Sequence, residues 1–188
     1  MKALDHFLRA WRTHVAVNAA PKSMDAVLDV GCNDGYLLQR LDAAVREGID
    51  PAIENSEESS GLRLCRGSFP ADLARLALVG PYDAIFALAV FEHLDEKDQG
   101  TVRDVLPNLL NLHGRLIVTV PHPFVDRILD MLLFLRLIDG QALHEHHGFD
   151  PAQLGSLASG QLRLVSRTAF QFGLNNLFVF EKAAEPCN

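Results

Sequence analysis

The stretch VLDVGCNDGYLLQRL, residues 27–41, decides the fold. Residues 26–30 form a short apolar run that predicts a buried strand, and residues 35–46 carry leucines at a helical spacing. Between these two elements, Gly31 and Gly35 flank three residues, and a backbone without side chains lets a ligand approach closely. A helix that begins after such a loop also directs unpaired N–H groups towards the ligand. The stretch therefore predicts a strand, a ligand-binding loop and a helix.

Two acids lie beside this loop, at the ends of neighbouring predicted strands. Asp50 ends a strand over residues 47–50, where its carboxylate can accept hydrogen bonds from both hydroxyls of a ribose. Asp29 ends the first strand, where it would repel the pyrophosphate of a nicotinamide dinucleotide but attract a cation. The dinucleotide spacing G-x-G-x-x-G is also absent. The pattern favours a positively charged nucleoside ligand, with an NAD(P)-dependent reductase as the less favoured alternative.

Outside this unit, short apolar strands alternate with helices, which predicts one α/β domain over residues 1–188. Two closely spaced strands near the end of the chain predict an antiparallel hairpin. We therefore expect a seven-stranded, mostly parallel sheet with helices on both faces and an antiparallel C-terminal hairpin. The remaining predicted strands are 62–66, 82–90, 114–120, 162–170 and 176–182, and the remaining predicted helices are 3–19, 54–60, 71–78, 96–112, 124–138 and 151–158.

Composition and charge exclude several classes of protein. The net charge of -7 argues against a nucleic-acid partner, although Arg9, Arg12 and His14 could form a local basic patch. Three scattered cysteines lack the spacing of a disulfide framework or a metal site, which favours a reducing cytoplasmic location. The first residues carry charges where a signal peptide needs its apolar core. We expect no membrane span, because no apolar run is long enough.

Five segments, in order, resemble the class I S-adenosylmethionine (SAM) dependent methyltransferase family. They are DVGCNDG (29–35), GIDP (48–51), RGSFP (66–70), YDAIFALAVFEHL (82–94) and HGRLIVTVPHP (113–123). The family's glycine motif is acid-x-Gly-x-Gly-x-Gly, and Asn33 stands here in place of its second glycine. The resemblance covers roughly residues 25–125. It implies a Rossmann-like methyltransferase fold, SAM as cofactor, and in-line methyl transfer to a small-molecule acceptor such as a sugar, a lipid-linked intermediate, a quinone or a natural-product precursor.

The resemblance also implies which residues hold the cofactor. The glycine loop and Asp29 would bind the amino-acid end, Asp50 the ribose, and Gly67 with Ser68 the adenine, while Leu88 would line the methyl-bearing face. The implied cofactor-binding residues are Asp29, Gly31, Cys32, Asn33, Gly35, Asp50, Pro51, Gly67, Ser68 and Leu88. Two alternatives stay open. The loop could be an ordinary βα turn, or the chain could bind SAM or S-adenosylhomocysteine as a non-catalytic sensor or partner subunit.

Three histidines are the candidate catalytic residues. Transfer of a methyl group from a sulfonium to an acceptor needs mainly alignment, so a general base is required only if the acceptor loses a proton. His122 follows the fifth predicted strand between two prolines, His93 follows the fourth, and His146 belongs to the cluster at 144–147. Each also has a structural alternative, as a turn residue, a helix cap or part of a solvated loop. The spacing H-E-x-x-H is absent, so no metal site is expected.

The segment 124–138 is apolar on more than one face of its predicted helix. Such a helix needs a contact besides the sheet. Packing beneath the helix of residues 1–20 is favoured, and a homodimer partner, a lid over the acceptor or a lipid-like acceptor are the alternatives. Residues 121–160 are therefore predicted to form a cap on the acceptor side.

Overall fold

The computed structural model describes residues 3–122, 154, 157–158 and 161–184. Helices and strands alternate along most of this part of the chain. The helices are α1 (Ala3–Ala19), α2 (Leu73–Leu76) and α3 (Glu96–Leu109), and 3₁₀ turns lie at Leu38–Arg40 and Phe91–His93. The strands are β1 (Ala26–Val30), β2 (Val45–Asp50), β3 (Glu57–Ser59), β4 (Leu62–Arg66), β5 (Tyr82–Leu88), β6 (Leu110–Pro121), β7 (Leu162–Phe170) and β8 (Asn175–Lys182).

These strands form one eight-stranded sheet in the order β3-β4-β2-β1-β5-β6-β8-β7. The five central strands, from β4 to β6, are parallel, so their carboxyl ends share one edge. Strand β8 runs antiparallel to β6, and β7 completes the predicted C-terminal hairpin. The predicted fold class is therefore confirmed. The sheet has eight strands rather than seven because β3 is added antiparallel at one edge.

Two predicted helices are wrong. Residues 35–46 contain turns and one 3₁₀ turn, and β2 begins at residue 45. The leucines that suggested a helix are buried against the sheet by this single turn, which satisfies the apolar pattern without a longer helix. Residues 54–60 contain β3 instead of a helix. Ser60 and Gly61 both have positive φ, 49° and 75°, and so form the tight turn that folds β3 back onto β4.

Two further boundaries differ from the predictions. The helix predicted at 71–78 contracts to the four residues of α2, which ends where Ala77 adopts φ 45°. The helix predicted at 96–112 ends at Leu109, two residues after Pro107, where Leu110 adopts an extended backbone. Strand β6 consequently begins at Leu110 and takes up residues that the sequence pattern assigned to the helix.

Helices cover both faces of the sheet. On one face, Ala16 of α1 packs in a core with Val27 and Phe86. On the other face, Leu106 of α3 packs in a core with Leu28. Since side chains alternate along a strand, Asp29 lies on the α1 face, at the carboxyl edge of the sheet. The fold thus places a buried acid between the sheet and α1.

Several predictions concern residues outside the described part of the chain. They are the apolar helix 124–138 with its homodimer contact, the cluster 144–147 with His146, and most of the cap 121–160 and of the helix 151–158. Among the described residues, no helix is long and apolar enough to cross a membrane.

Candidate functional site

The loop after β1 has the conformation that its glycines predict. Gly31, Asn33 and Gly35 have φ of 75°, 50° and 72°. A Cβ on Gly31 would lie 2.5 Å from Cγ2 of Val90, so this position requires glycine. Asn33 is the residue that replaces the second glycine of the family motif, and asparagine is among the residues that best tolerate positive φ. The departure from the motif therefore preserves the backbone path.

Cys32 turns its side chain away from the loop and into the core. It is 4% exposed, and a Cβ on Gly48 would lie 2.6 Å from its Sγ. Burial is the main cause that raises the pKa of the Cys32 thiol, so this thiol is neutral. Any contact of Cys32 with a cofactor would be made by its backbone.

Asp50 ties the loop to the end of β2. Its Oδ2 accepts a hydrogen bond from the amide of Asn33 at 2.9 Å, and its Oδ1 accepts one from the amide of Ala52 at 2.7 Å. The amide of Gly67 donates to the carbonyl of Asp50 at 3.2 Å. Each carboxylate oxygen can accept a second hydrogen bond. The carboxylate is therefore held in place with capacity left for hydroxyl donors.

Asp29 is a buried acid on the same face as Asp50. It is 3% exposed, and no ion pair to it is recorded within the described residues. Burial first, and then the charge of Asp50, raise the pKa of Asp29 to about 8, while Arg9 opposes this effect. At about 1.36 kcal/mol for each pKa unit, a shift of that size represents roughly 6 kcal/mol of unfavourable environment for the carboxylate. A cation bound here would relieve that penalty.

A cavity of about 520 Å³ opens beside the end of β2. Three of the implied cofactor residues, Pro51, Gly67 and Ser68, line it. The amide of Ser68 donates to Oδ2 of Asp72 at 2.8 Å, which fixes the loop after β4. The other lining residues are Glu54, Asn55, Ser56, Arg66, Asp72 and Arg75. The ribose-side and adenine-side residues are therefore neighbours in the fold.

The chain leaves β5 by a sharp turn. Leu88, half-buried in the core of the α1 face, is followed by Ala89 with φ 59°, whose amide donates to the carbonyl of Thr119 at 3.0 Å. The turn carries Val90 against Gly31. Left-handed backbone at a residue with a side chain is uncommon and occurs often at functional sites. The methyl-face residue implied by the resemblance thus lies beside the glycine loop.

Glu92 is the residue that sequence reasoning underrated. It is 3% exposed, whereas the adjacent His93 is exposed and lies on the outside of the 3₁₀ turn. Burial raises the pKa of Glu92 to about 7, and its own amide and the charge of Arg12 oppose this effect. The segment FEHL gave no sign of the difference, because α1, which lies far away in sequence, supplies Arg12. The titratable group in the interior here is the glutamate.

His122 lies at the same edge of the sheet. It directly follows β6, is half-buried, and its amide donates to the carbonyl of Leu174 at 2.8 Å. The hairpin that contains Leu174 therefore fixes the backbone of this histidine. His93 and His122 both follow carboxyl ends of parallel strands, as predicted, and their catalytic role stays a prediction. The described residues contain no group of histidine, cysteine and acidic side chains arranged to hold a metal ion.

Helix α1 lies over the glycine loop. The Arg9 guanidinium donates two hydrogen bonds to the carboxylate of Asp34, one of them 3.1 Å long, and its Cζ lies 4.4 Å from the centre of the Tyr36 ring. The side chain of Gln171 also donates to the carbonyl of Leu8 at 2.6 Å. Two arginines of the basic patch therefore interact with acids, because Arg9 pairs with Asp34 of the loop and the charge of Arg12 acts on Glu92 after β5.

No family model matches the sequence, and no curated protein matches it. The structure is similar to the N-methyltransferase NodS from Bradyrhizobium japonicum WM9 in complex with S-adenosyl-L-homocysteine, with a TM-score of 0.66 and 15% identity over 93% of this chain and 87% of that one. It is also similar to a SAM-dependent methyltransferase from Clostridium acetobutylicum, with a TM-score of 0.62 and 16% identity over 86% and 85% of the two chains.

A third similar structure is an O-methyltransferase family protein from Burkholderia thailandensis, with a TM-score of 0.65 and 12% identity, over 95% of this chain and 57% of that one. These similar proteins include both an N-methyltransferase and an O-methyltransferase family protein, so the fold does not determine which kind of acceptor is methylated. The described chain has the fold of class I SAM-dependent methyltransferases.

Proposed function

We propose that the chain is a SAM-dependent methyltransferase that acts on a small molecule. The observation that carries this proposal is the pair of acids, Asp29 and Asp50, on one face of the sheet beside the glycine loop. Asp29 is buried and has unfavourable electrostatics as an anion. A ligand with a positive charge and a ribose matches both acids, whereas a dinucleotide pyrophosphate would add negative charge beside them.

The residues at the edge of the sheet fit SAM part by part. Asp29 and the backbone of the loop would hold the cationic amino-acid end, and Asp50 would accept the ribose hydroxyls on the lone pairs that Asn33 and Ala52 leave unused. Gly67 and Ser68 would border the adenine. The cofactor would supply a methyl group on a positively charged sulfur. Leu88 would exclude water from that methyl group, which favours displacement by an acceptor.

Calorimetry tests the cofactor. We expect SAM and S-adenosylhomocysteine to bind and NAD to give no heat, because the pyrophosphate of NAD would add negative charge beside Asp29 and Asp50. Binding of NAD without either SAM species would establish the reductase alternative and remove this proposal. A transfer assay with tritiated methyl groups then separates an enzyme from a sensor, since a sensor would bind SAM and transfer nothing to any acceptor.

A further inference from the structure

Two buried polar atoms without hydrogen-bond partners lie at the acceptor side of the sheet edge. They are Oε2 of Glu92, after β5, and Nε of Arg12, on α1. Within the described part of the chain, the positive charge of Arg12 acts on Glu92. Buried polar atoms in folded proteins almost always have partners, so an unpaired acceptor and an unpaired donor on two residues that interact electrostatically are a candidate site for a ligand group.

The position of Glu92 relates it to the proposed cofactor site. It lies two residues after Val90, which touches Gly31 of the glycine loop, and four residues after Leu88. A third buried polar atom without a hydrogen-bond partner, Oγ1 of Thr119, lies near the end of β6. The carbonyl of Thr119 accepts the hydrogen bond that holds the turn at Ala89. The unpaired atoms thus come from three elements that meet at the carboxyl edge of the sheet.

A hydroxyl group satisfies the acid and the arginine at once. Its oxygen accepts a hydrogen bond from Nε–H of Arg12, and its proton is donated to Oε2 of Glu92. Resting on the proposed function, we propose that Glu92 and Arg12 bind the hydroxyl of a phenolic methyl acceptor and that Glu92 removes its proton. The O–H bond breaks and the proton passes to Oε2. The acceptor oxygen bonds to the methyl carbon while the methyl–sulfur bond breaks, leaving its electron pair on sulfur in S-adenosylhomocysteine.

Proton affinities favour a phenol over an aliphatic alcohol. Burial raises the pKa of Glu92 to about 7. A phenol has a pKa of about 10, so transfer of its proton to Glu92 is uphill by about 3 units. An aliphatic hydroxyl, which resembles water with a pKa of about 16, would be uphill by about 9 units. A carboxylate of this strength can assist the first transfer, and it contributes little to the second.

An aromatic surface beside Arg12 suits the ring of such an acceptor. The Trp11 ring centre lies 5.6 Å from that of Phe7 and 5.5 Å from that of Phe172, both in edge-to-face geometry. Phe172 is 89% exposed although it is large and apolar, and it has φ 59°. Bulky residues rarely adopt that backbone conformation, and strain of this kind is frequent at ligand sites. Trp11 directly precedes Arg12 on α1, so this aromatic surface and Arg12 belong to the same turn of the helix.

Glu92 is closed to bulk solvent, so the acceptor would enter between α1 and the turn after β5. Trp11 is the only tryptophan of the chain and lies on α1, the helix that would have to move to admit the acceptor. Its fluorescence therefore reports acceptor binding without any turnover. We expect phenol to change the emission of Trp11 in a saturable way when S-adenosylhomocysteine is present, and cyclohexanol to change it less.

The decisive experiment uses three probes that share a six-membered ring, namely phenol, aniline and cyclohexanol. Transfer of tritiated methyl from SAM is measured for the wild type, Glu92→Gln, Arg12→Lys and the control Glu58→Gln, whose side chain is exposed on β3. We expect methylation of phenol alone. Glu92→Gln should lower kcat by about 100-fold or more, as removal of a general base does, with SAM affinity unchanged. Arg12→Lys should chiefly raise KM for phenol.

The pH profile separates proton removal from mere packing. At saturating SAM, which removes the pH dependence of cofactor binding, the wild-type rate should rise with pH through about 7, because the ionised form of Glu92 is the active one, and this rise should vanish in Glu92→Gln. The proposal is overturned if Glu92→Gln methylates phenol at the wild-type rate, if aniline is methylated in preference to phenol, or if a wild type that binds SAM methylates no probe. Failure to bind SAM would instead overturn the proposed function. Should Glu92→Gln not fold, an unchanged KM in Arg12→Lys overturns the proposal.

Discussion

The amide of Asn33 donates a hydrogen bond of 2.9 Å to Oδ2 of Asp50, so the glycine loop and the end of β2 form one rigid unit. A single carboxylate thereby shapes the loop and remains available to a ligand. Substitutions at Asp50 should consequently change both the geometry of the loop and the affinity for a nucleoside.

Asp50→Ala should weaken SAM binding by about 10- to 100-fold, the value expected for loss of hydrogen bonds to a charged group. Isothermal calorimetry measures the effect. Asp42→Asn is the matched control, because it removes an exposed carboxylate from the same connection between β1 and β2 and should leave the affinity unchanged. Equal affinities for the wild type and Asp50→Ala would remove Asp50 from the ribose site.

SAM affinity should depend on pH through Asp29. Its pKa of about 8 means that the carboxyl is mostly protonated at pH 7 in the free protein, and a bound cation requires the ionised form. Affinity should therefore rise with pH from 6 to 8, by at most about tenfold per unit, and level off above the pKa. Calorimetry in two buffers of different ionisation enthalpy should show proton release on binding. Asp29→Asn should abolish that release, and a flat pH profile in the wild type would contradict the assignment.

Asp29→Asn should also stabilise the ligand-free protein. The pKa of Asp29 is higher in the folded than in the unfolded chain, so its contribution to stability is full below about pH 4 and is lost as pH rises towards 8. Asparagine does not ionise, so Asp29→Asn keeps this stability as the pH rises. We expect Tm at pH 8 to rise by up to roughly 10–20 °C, at roughly 2–4 °C for each kcal/mol in a chain of this size. A lower Tm for Asp29→Asn at pH 8 would show that the carboxylate is well solvated.

Gly31→Ala should destabilise the protein and weaken SAM binding, because its Cβ would lie 2.5 Å from Val90 at a residue with φ 75°. A cost of about 1–3 kcal/mol is usual for such overpacking. Thermal unfolding and calorimetry measure the two effects, and Gly31→Ala with Val90→Ala should recover part of the stability. Gly100→Ala is the control, since a Cβ there meets nothing within 4 Å and α3 should gain about 0.5–1 kcal/mol from loss of a helical glycine. Equal losses in both alanine variants would refute the contact with Val90.

Local sequence predicted the centre of the sheet well. Strands β1 and β4 have the predicted bounds, β1 because its apolar run is short and sharply delimited, and β4 because apolar and charged residues alternate after the turn at Gly61. The leucines in residues 35–46 led to the wrong prediction of an α-helix, since a short apolar pattern cannot distinguish a helix from a 3₁₀ turn packed on a sheet. Strand β3 is polar and has no apolar period, so only the turn at Ser60 and Gly61 could have indicated it.

The residues proposed for the cofactor could be suggested from the sequence because they cluster in the chain around two strand ends. The pair proposed for the acceptor could not, because it joins distant segments. Arg12 acts on Glu92 across 80 positions of the chain. Burial of a glutamate depends on which helix covers it, and a sequence pattern carries no record of that packing.

Strand β3 has a consequence for the behaviour of the protein in solution. A sheet whose outer strand is long and apolar offers backbone donors and acceptors to other molecules, and so promotes polymerisation. Here the outer strand on this side has three residues, all exposed, and two of them are the glutamates Glu57 and Glu58. A second copy approaching strand to strand would align like charges, and the short pairing would offer few hydrogen bonds in return. This edge therefore acts as a barrier to amyloid-like association during expression and storage at high concentration.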